Sequence, residues 1–292
     1  MRGVVLLFLS LLGLVVFSSL LFFSNSLSFF WLFLELSGLC VVPCFFLLGG
    51  GSCVFSGLFS YIVVSSISSS LILCGLLEEL LLFLLLFGFF IKFGLFPFLG
   101  WVYSVGLNSN WIVLWALSTF LKVPIFCFPF FLNSGGFFLV DVLSCLSFLV
   151  LSFLFWVYSY SWFHCWCHMM LSSSVCLVVM SGVLSSDVLF YVFFVYLIWA
   201  SMVICFFYSM GCDGSSGLSG VSAYFFFVVL LVSVPFSFSI FYKILMAVSM
   251  LSCSLLVLFF WAVYCVSEQF YLLKFLVSCF LPKSEVGVFS GI

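Results

Sequence analysis

Glu35, Lys92 and Lys122 each stand in the middle of a long apolar run, in a chain where charged residues make up only 5% of the sequence. A carboxylate and two amines can pass protons without a metal or a cofactor. Burial disfavours the charged form of an amine and a nearby carboxylate favours it, so a carboxylate that moves relative to a lysine switches that lysine between protonated and neutral. Holding Lys or Asp at the centre of a membrane helix costs roughly 2.5 to 3.5 kcal/mol on insertion scales, so a charge at that depth marks an ion pathway or a buried pair. Prolines sharpen the choice. Lys92 is followed by Gly94 and Pro97, Lys122 by Pro124, and Glu35 by Pro43 two turns on. Each proline lacks a backbone donor and clashes with the carbonyl four residues back, so the carbonyls of Phe93 and Phe120 lose their helical partners. In lipid those groups must find protein or water, so a lysine beside a helix break points to a hydrated cavity. Lys243, just after Pro235, is the fourth candidate. From a helix start it either snorkels to the interface or joins the relay.

The other clusters carry less chemistry. His164-Cys165-Trp166-Cys167-His168 has the residue types of a metal site. Zinc needs four ligands converging tetrahedrally, which neighbours in one short run do not supply, so no metal is expected. Cys40 and Cys44 lack the four-cysteine pattern of an iron-sulfur ligand set. There is no Gly-rich nucleotide loop and no serine or cysteine nucleophile arrangement. Glu78 and Glu79 fall between two apolar runs, Asp187 at a helix start after Ser185-Ser186, and Asp213, Glu268 and Glu285 in loops or the tail. Interfacial or capping roles account for these acids. Asp141, in the first turns of its run, is either a cap or a buried acid.

The elements that hold these groups must lie in a membrane. Hydrophobic residues make up 67% of the chain and the mean hydropathy is +1.55, too little polar surface for a water-soluble globule. Apolar stretches of about 20 residues, each enough to cross a hydrocarbon core as a helix, recur along the length. They cover residues 3 to 23, 27 to 48, 54 to 76, 80 to 102, 111 to 132, 136 to 157, 169 to 185, 188 to 208, 221 to 238, 241 to 264 and a shorter 270 to 281. The breaks are glycine and serine clusters such as Gly49-Gly50-Gly51-Ser52 and the run from Gly211 to Gly217. Runs such as Leu80 to Phe87 have no polar alternation, which excludes a porin-like barrel. The expected fold is an all-α polytopic helix bundle of roughly ten helices. Residues 1–292 read as one multi-pass domain with no soluble domain, and residues 3 to 23 as its first helix rather than a cleaved signal. With a net charge of -2 and no basic cluster, nothing points to nucleic acid; the surroundings are the lipid bilayer and neighbouring subunits. Arg2, Lys274 and Lys283 are too few to set orientation.

Residue usage adds a separate signal. There are 46 Phe and 14 Cys, but Thr119 is the only Thr and Gln269 the only Gln. The favoured residues share codons rich in U and G, as in a strand-biased organellar genome. That bias inflates Phe and Cys, so neither is informative singly.

At its charged residues the chain resembles the antiporter-like chain 2 family of respiratory complex I, the mitochondrially encoded NADH:ubiquinone oxidoreductase chain. Phe30-Trp31-Leu32-Phe33-Leu34-Glu35-Leu36, running on to Val42-Pro43, is similar to that family's tryptophan and glutamate helix. Lys92-Phe93-Gly94-Leu95-Phe96-Pro97-Phe98 with Trp101 resembles its lysine, glycine and Pro-Phe motif. Leu117-Ser118-Thr119-Phe120-Leu121-Lys122-Val123-Pro124 resembles its second lysine helix. The likeness covers roughly residues 28 to 130. Later, Pro235 and Lys243 fit the proline loop and third lysine, and Ser172-Ser173-Ser174 a small polar helix start. The basic pair expected before those serines is replaced by Cys167 and His168, and Leu99-Gly100 stands where the family is polar. The short chain beginning at the glutamate helix pair matches animal mitochondrial versions.

The resemblance implies a core subunit that translocates protons while partner subunits transfer electrons. NADH, FMN, iron-sulfur clusters and ubiquinone would be held by the other membrane and peripheral subunits of complex I, and no cofactor by this chain. Glu35 would modulate Lys92, Lys122 would be the central relay and Lys243 would pass the proton on, with breaks at Pro97, Pro124 and Pro235. The implied location is the mitochondrial inner membrane. The residues alone also fit a stand-alone cation/proton antiporter, or a scaffold with static ion pairs.

Overall fold

The computed structural model describes residues 2–24, 26–46, 52–78, 81–131, 134–212 and 221–280. Among them are twelve α-helices and short 3-10 segments. The first three are α1 (Arg2–Phe22), α2 (Leu27–Leu39), followed by a 3-10 segment at Val42–Phe46, and α3 (Ser52–Leu77). Next come α4 (Leu82–Phe93), α5 (Gly100–Leu107), and α6 (Trp111–Ser118), which runs into 3-10 segments at Phe120–Phe126 and Phe128–Phe131. Then follow α7 (Ser134–Val157), α8 (Trp162–Ser181), α9 (Ser186–Cys212), α10 (Val221–Leu230), α11 (Phe238–Leu251) and α12 (Leu255–Phe280). Seven helical units are long and apolar enough to cross a membrane, and three shorter apolar ones accompany them, in keeping with the roughly ten expected. The chain is a polytopic helical membrane bundle.

Helix starts follow the polar residues. The side chains of Ser26, Ser161 and Ser237 accept backbone N–H bonds from Phe29, His164 and Ile240, capping α2, α8 and α11. The cap at Ser161 moves the start of α8 to Trp162, seven residues before the expected 169. The expected spans 241 to 264 and 270 to 281 also change. The break falls at Ser252–Ser254, and α12 then runs unbroken to Phe280. Glu268, assigned to a loop from its polarity, therefore lies at mid-helix. Glu79, Gly49 to Gly51, Asp213, Lys283 and Glu285 lie outside the described residues, while Glu78 sits between α3 and α4 and Asp187 in the first turn of α9. Asp141 is a half-buried residue of α7 within reach of Ser254.

α8 is the axis of the bundle. In its span 94% of residues are buried, against 22% to 44% in the other six, because α4, α5, α7, α9, α11 and the 3-10 segments at Phe120–Phe126 and Phe128–Phe131 all pack on it. A helix screened from lipid can carry polar residues, and α8 carries two histidines and three consecutive serines. Around it α3 and α4 cross closely. A Cβ on Gly88 would stand 2.8 Å from the Ser68 carbonyl and one on Gly75 2.7 Å from the Leu85 nitrogen, so these small residues set the approach.

Candidate functional site

Lys92 occupies the last turn of α4, where the helix ends in a left-handed Gly94 (φ 70°). That conformation suits glycine and places the amine at the carbonyl end of the helix, where the dipole favours a cation. The carbonyl of Ile91, which accepts the Gly94 N–H at 3.2 Å, also accepts the indole N–H of Trp101 at 2.9 Å, and the N–H of Phe96 donates to Ser147 at 3.0 Å. The break before Pro97 thus finds its partners within protein. Glu35, on α2, places Oε1 3.7 Å from Lys92 Nζ. At that separation the two form an ion pair but no hydrogen bond, and among the described residues neither atom has another partner. Near the end of α2 the Gly38 carbonyl accepts the Val41 N–H at 3.2 Å and the Tyr61 hydroxyl at 2.9 Å.

Lys122 sits in the 3-10 segment that replaces the second half of its expected span, just before Pro124. It is only 3% exposed. Its Nζ donates to the Met170 carbonyl (2.8 Å), Ser173 Oγ (2.6 Å) and the Tyr196 hydroxyl (2.9 Å). Three donors meet three acceptors, and none of them is a carboxylate. Met170 and Ser173 both belong to α8, so the central helix supplies most of this cradle.

Lys243, in the second turn of α11, does not snorkel. Its Nζ donates to Glu268 Oε1 at 2.7 Å, and both side chains are largely buried. Snorkelling loses because α12, longer than expected, brings a carboxylate within reach. The break around Pro235 is held by α12 as well. The sole glutamine, Gln269, accepts from the Ser233 N–H at 2.8 Å and donates to the Leu231 carbonyl at 3.3 Å and to Glu268 at 3.2 Å. Trp199 caps the Leu230 carbonyl at 3.0 Å, much as Trp101 does at the first break.

Two cavities connect these groups. One, of about 40 Å³ counted as space open to a water's centre, is lined by Lys92, Trp101, Ser65, Ser68, Lys122 and Ser174. It is roomy and polar enough to admit water. The other, smaller at about 20 Å³, is lined by Ser172, Ser173, Tyr242, Lys243, Tyr264 and Glu268. Successive residues on a helix point about 100° apart, so the three serines of α8 divide between the cavities. Ser174 faces the first, Ser172 and Ser173 the second, and Ser173 also touches Lys122. Glu35, Lys92, Lys122, Lys243 and Glu268 thus form one line of charge, cavity, charge, cavity, charge.

The sequence singles out Glu35, Lys92 and Lys122 by their cost in hydrocarbon and leaves Lys243 between snorkelling and the relay. It misses Glu268, whose neighbours Ser267 and Gln269 read as a loop; an apolar run counted through from Leu255 puts it at mid-span. Ser173 and Tyr196 carry no signal of their own. The side chains of the His164 to His168 run turn to separate partners. His168 Nδ1 pairs with the Tyr103 hydroxyl at 2.6 Å, His164 Nδ1 with Ser161 at 2.8 Å, and Cys167 faces the Val102 carbonyl. Among the described residues no three His, Cys, Asp or Glu side chains converge for a metal ion.

No family model matches the sequence, and no curated protein matches it. Among solved structures, a chain of respiratory complex I from Thermus thermophilus, in a complex with bound aureothin, is similar with a TM-score of 0.75. The likeness covers 95% of this chain and 71% of that one at 16% identity. The two share a fold, a polytopic bundle of membrane helices.

Proposed function

We propose that this chain is a core membrane subunit of respiratory complex I, NADH:ubiquinone oxidoreductase, of the mitochondrially encoded chain 2 type. In this reading it is part of a proton-translocating translocase of the mitochondrial inner membrane, and its partners are the other membrane and peripheral subunits. Electron transfer from NADH to ubiquinone, with its FMN and iron-sulfur clusters, takes place in those partners. The shared fold and the three motifs between residues 28 and 130 support the assignment to this complex.

The observation that carries the proton-relay reading is the setting of Lys122. A buried ammonium with three neutral acceptors and no counter-ion among the described residues is costly as a purely static feature, because desolvation is not offset by an opposite charge. The cost has a use where the group alternates between charged and neutral. Water in the first cavity would bring a proton from Lys92, whose charge Glu35 modulates. Ser173, touching Lys122 and lining the second cavity, would hand it toward Lys243. A hydroxyl that accepts from one side and donates to the other suits that step. The breaks at Pro97, Pro124 and Pro235 provide the irregular backbone that lines such a route.

Native electrophoresis of detergent-solubilised membranes, stained for NADH oxidation, tests the assignment. The chain is expected in the stained high-mass band together with many unlike chains. Migration as a monomer or homo-oligomer away from that band would instead identify a stand-alone transporter.

A further inference from the structure

We infer that Glu268 is a working acid of the relay, the counterpart at Lys243 of what Glu35 is at Lys92; this rests on the proton-relay reading above. Lys243 and Glu268 are in direct contact at 2.7 Å, on α11 and α12, and both face the cavity that begins at Ser173. The line is then symmetric, with a Lys–Glu pair at each end and the uncompensated Lys122 between them.

The two end pairs differ in closure. Lys92 and Glu35 stand 3.7 Å apart with no hydrogen bond, and Glu35 is 23% exposed. Lys243 and Glu268 are hydrogen-bonded, and Glu268 Oε1 also accepts from Gln269 Nε2 at 3.2 Å. Gln269 in turn clamps the Ser233 N–H and the Leu231 carbonyl of the α10–α11 break. The carboxylate is therefore tied both to the amine and to the loop from which α11 starts.

The step balances in protons alone. An ammonium at Lys122 gives one proton through Ser173 and cavity water and becomes a neutral amine. The Glu268 carboxylate takes that proton and becomes a neutral acid, which weakens its hold on Lys243. Lys243, now a cation without its counter-charge, releases its own proton outward. Glu268 then passes its proton to the Lys243 amine, and the pair returns to carboxylate and ammonium. One proton enters and one leaves.

The test uses the intact assembly containing the full chain, purified and reconstituted in vesicles, with protons translocated per electron transferred as the readout. Lys122→Met and Glu268→Gln are compared in parallel. Glu268→Gln is expected to lose the same share of the ratio as Lys122→Met, and Glu268→Asp to keep at least half of that share. A native ratio in Glu268→Gln beside a reduced one in Lys122→Met overturns the inference alone. A native ratio in Lys122→Met overturns the relay itself. Should Glu268→Gln fail to assemble, reaction-induced infrared difference spectra decide. A carboxylic C=O band that appears on turnover and is displaced in Glu268→Asp supports a working acid, and identical spectra of the native chain and Glu268→Asp overturn it.

Discussion

Lys122 draws its setting from α8 and α9. Met170 and Ser173 belong to the first and Tyr196 to the second, and the amine also lies 4.5 Å from the centre of the Tyr196 ring. Of the three acceptors only Ser173 also reaches the second cavity. Ser173→Ala therefore removes a hydrogen bond and the hydroxyl bridge together. A lost hydrogen bond to a charged group costs about 1.5 to 3 kcal/mol, within the tolerance of a well-packed bundle. The variant is expected to assemble normally and to slow proton translocation about tenfold or more at saturating substrate, while Ser173→Thr restores it. Equal translocation rates in native and alanine forms would remove Ser173 from the route. Cost explains why some residues could be read without a structure and others could not. A charge in the middle of a long apolar run, as at Lys92 or Lys122, has few explanations. Glu268, with Ser267 and Gln269 beside it, has a bland one, and only the length of α12 removes it.

At the scale of helices, the breaks are where residue chemistry and architecture meet. Proline marks each break in the sequence without fixing its position. α4 stops at Phe93, short of Pro97, because Gly94 takes the left-handed turn, and the span through Lys122 tightens into 3-10 winding before Pro124. A helix of 12 residues rises only about 18 Å, so α4 cannot cross a bilayer alone and α5 must continue it. Gly94→Ala would place a Cβ 2.8 Å from Leu171 Cδ2 in a positive-φ conformation. Left-handed backbone alone costs roughly 1 to 2 kcal/mol for a non-glycine residue. The expected outcome is a lower thermal midpoint of the solubilised protein and a lower yield of assembled chain. At Gly88 the neighbour is backbone, the Ser68 carbonyl, which cannot swing aside. Gly88→Ala is therefore expected to separate α3 from α4 and to reduce assembly by at least as much; an unchanged thermal midpoint would contradict this packing account. The starts of α8 and α12 escape sequence reading for a related reason. In a chain this apolar, hydropathy barely changes at a boundary, and single serine caps such as Ser161 decide where a helix begins.

In the molecule as a whole, α8 is screened from lipid by its neighbours and so can hold polar groups at mid-membrane. Its three serines join the two halves of the bundle into one line from Glu35 to Glu268. A bundle of apolar helices is legible from composition, since 67% hydrophobic content leaves no alternative in water. The line itself is not, because cavities arise from the meeting of side chains on four or more helices. Filling one cavity tests the line without touching a charge. Ser65→Leu would place a larger apolar side chain in the space of about 40 Å³ between Lys92 and Lys122. Protons per electron are expected to fall toward the level of a lysine variant while NADH oxidation persists; an unaffected ratio would mean that this cavity carries no protons. The central claim, that Lys122 is a proton carrier, meets its most direct test in the proton-to-electron ratio of an assembled Lys122→Met complex. That complex is expected to assemble and oxidise NADH but to lose the share of protons moved through this chain. A native ratio in the correctly assembled variant would contradict it.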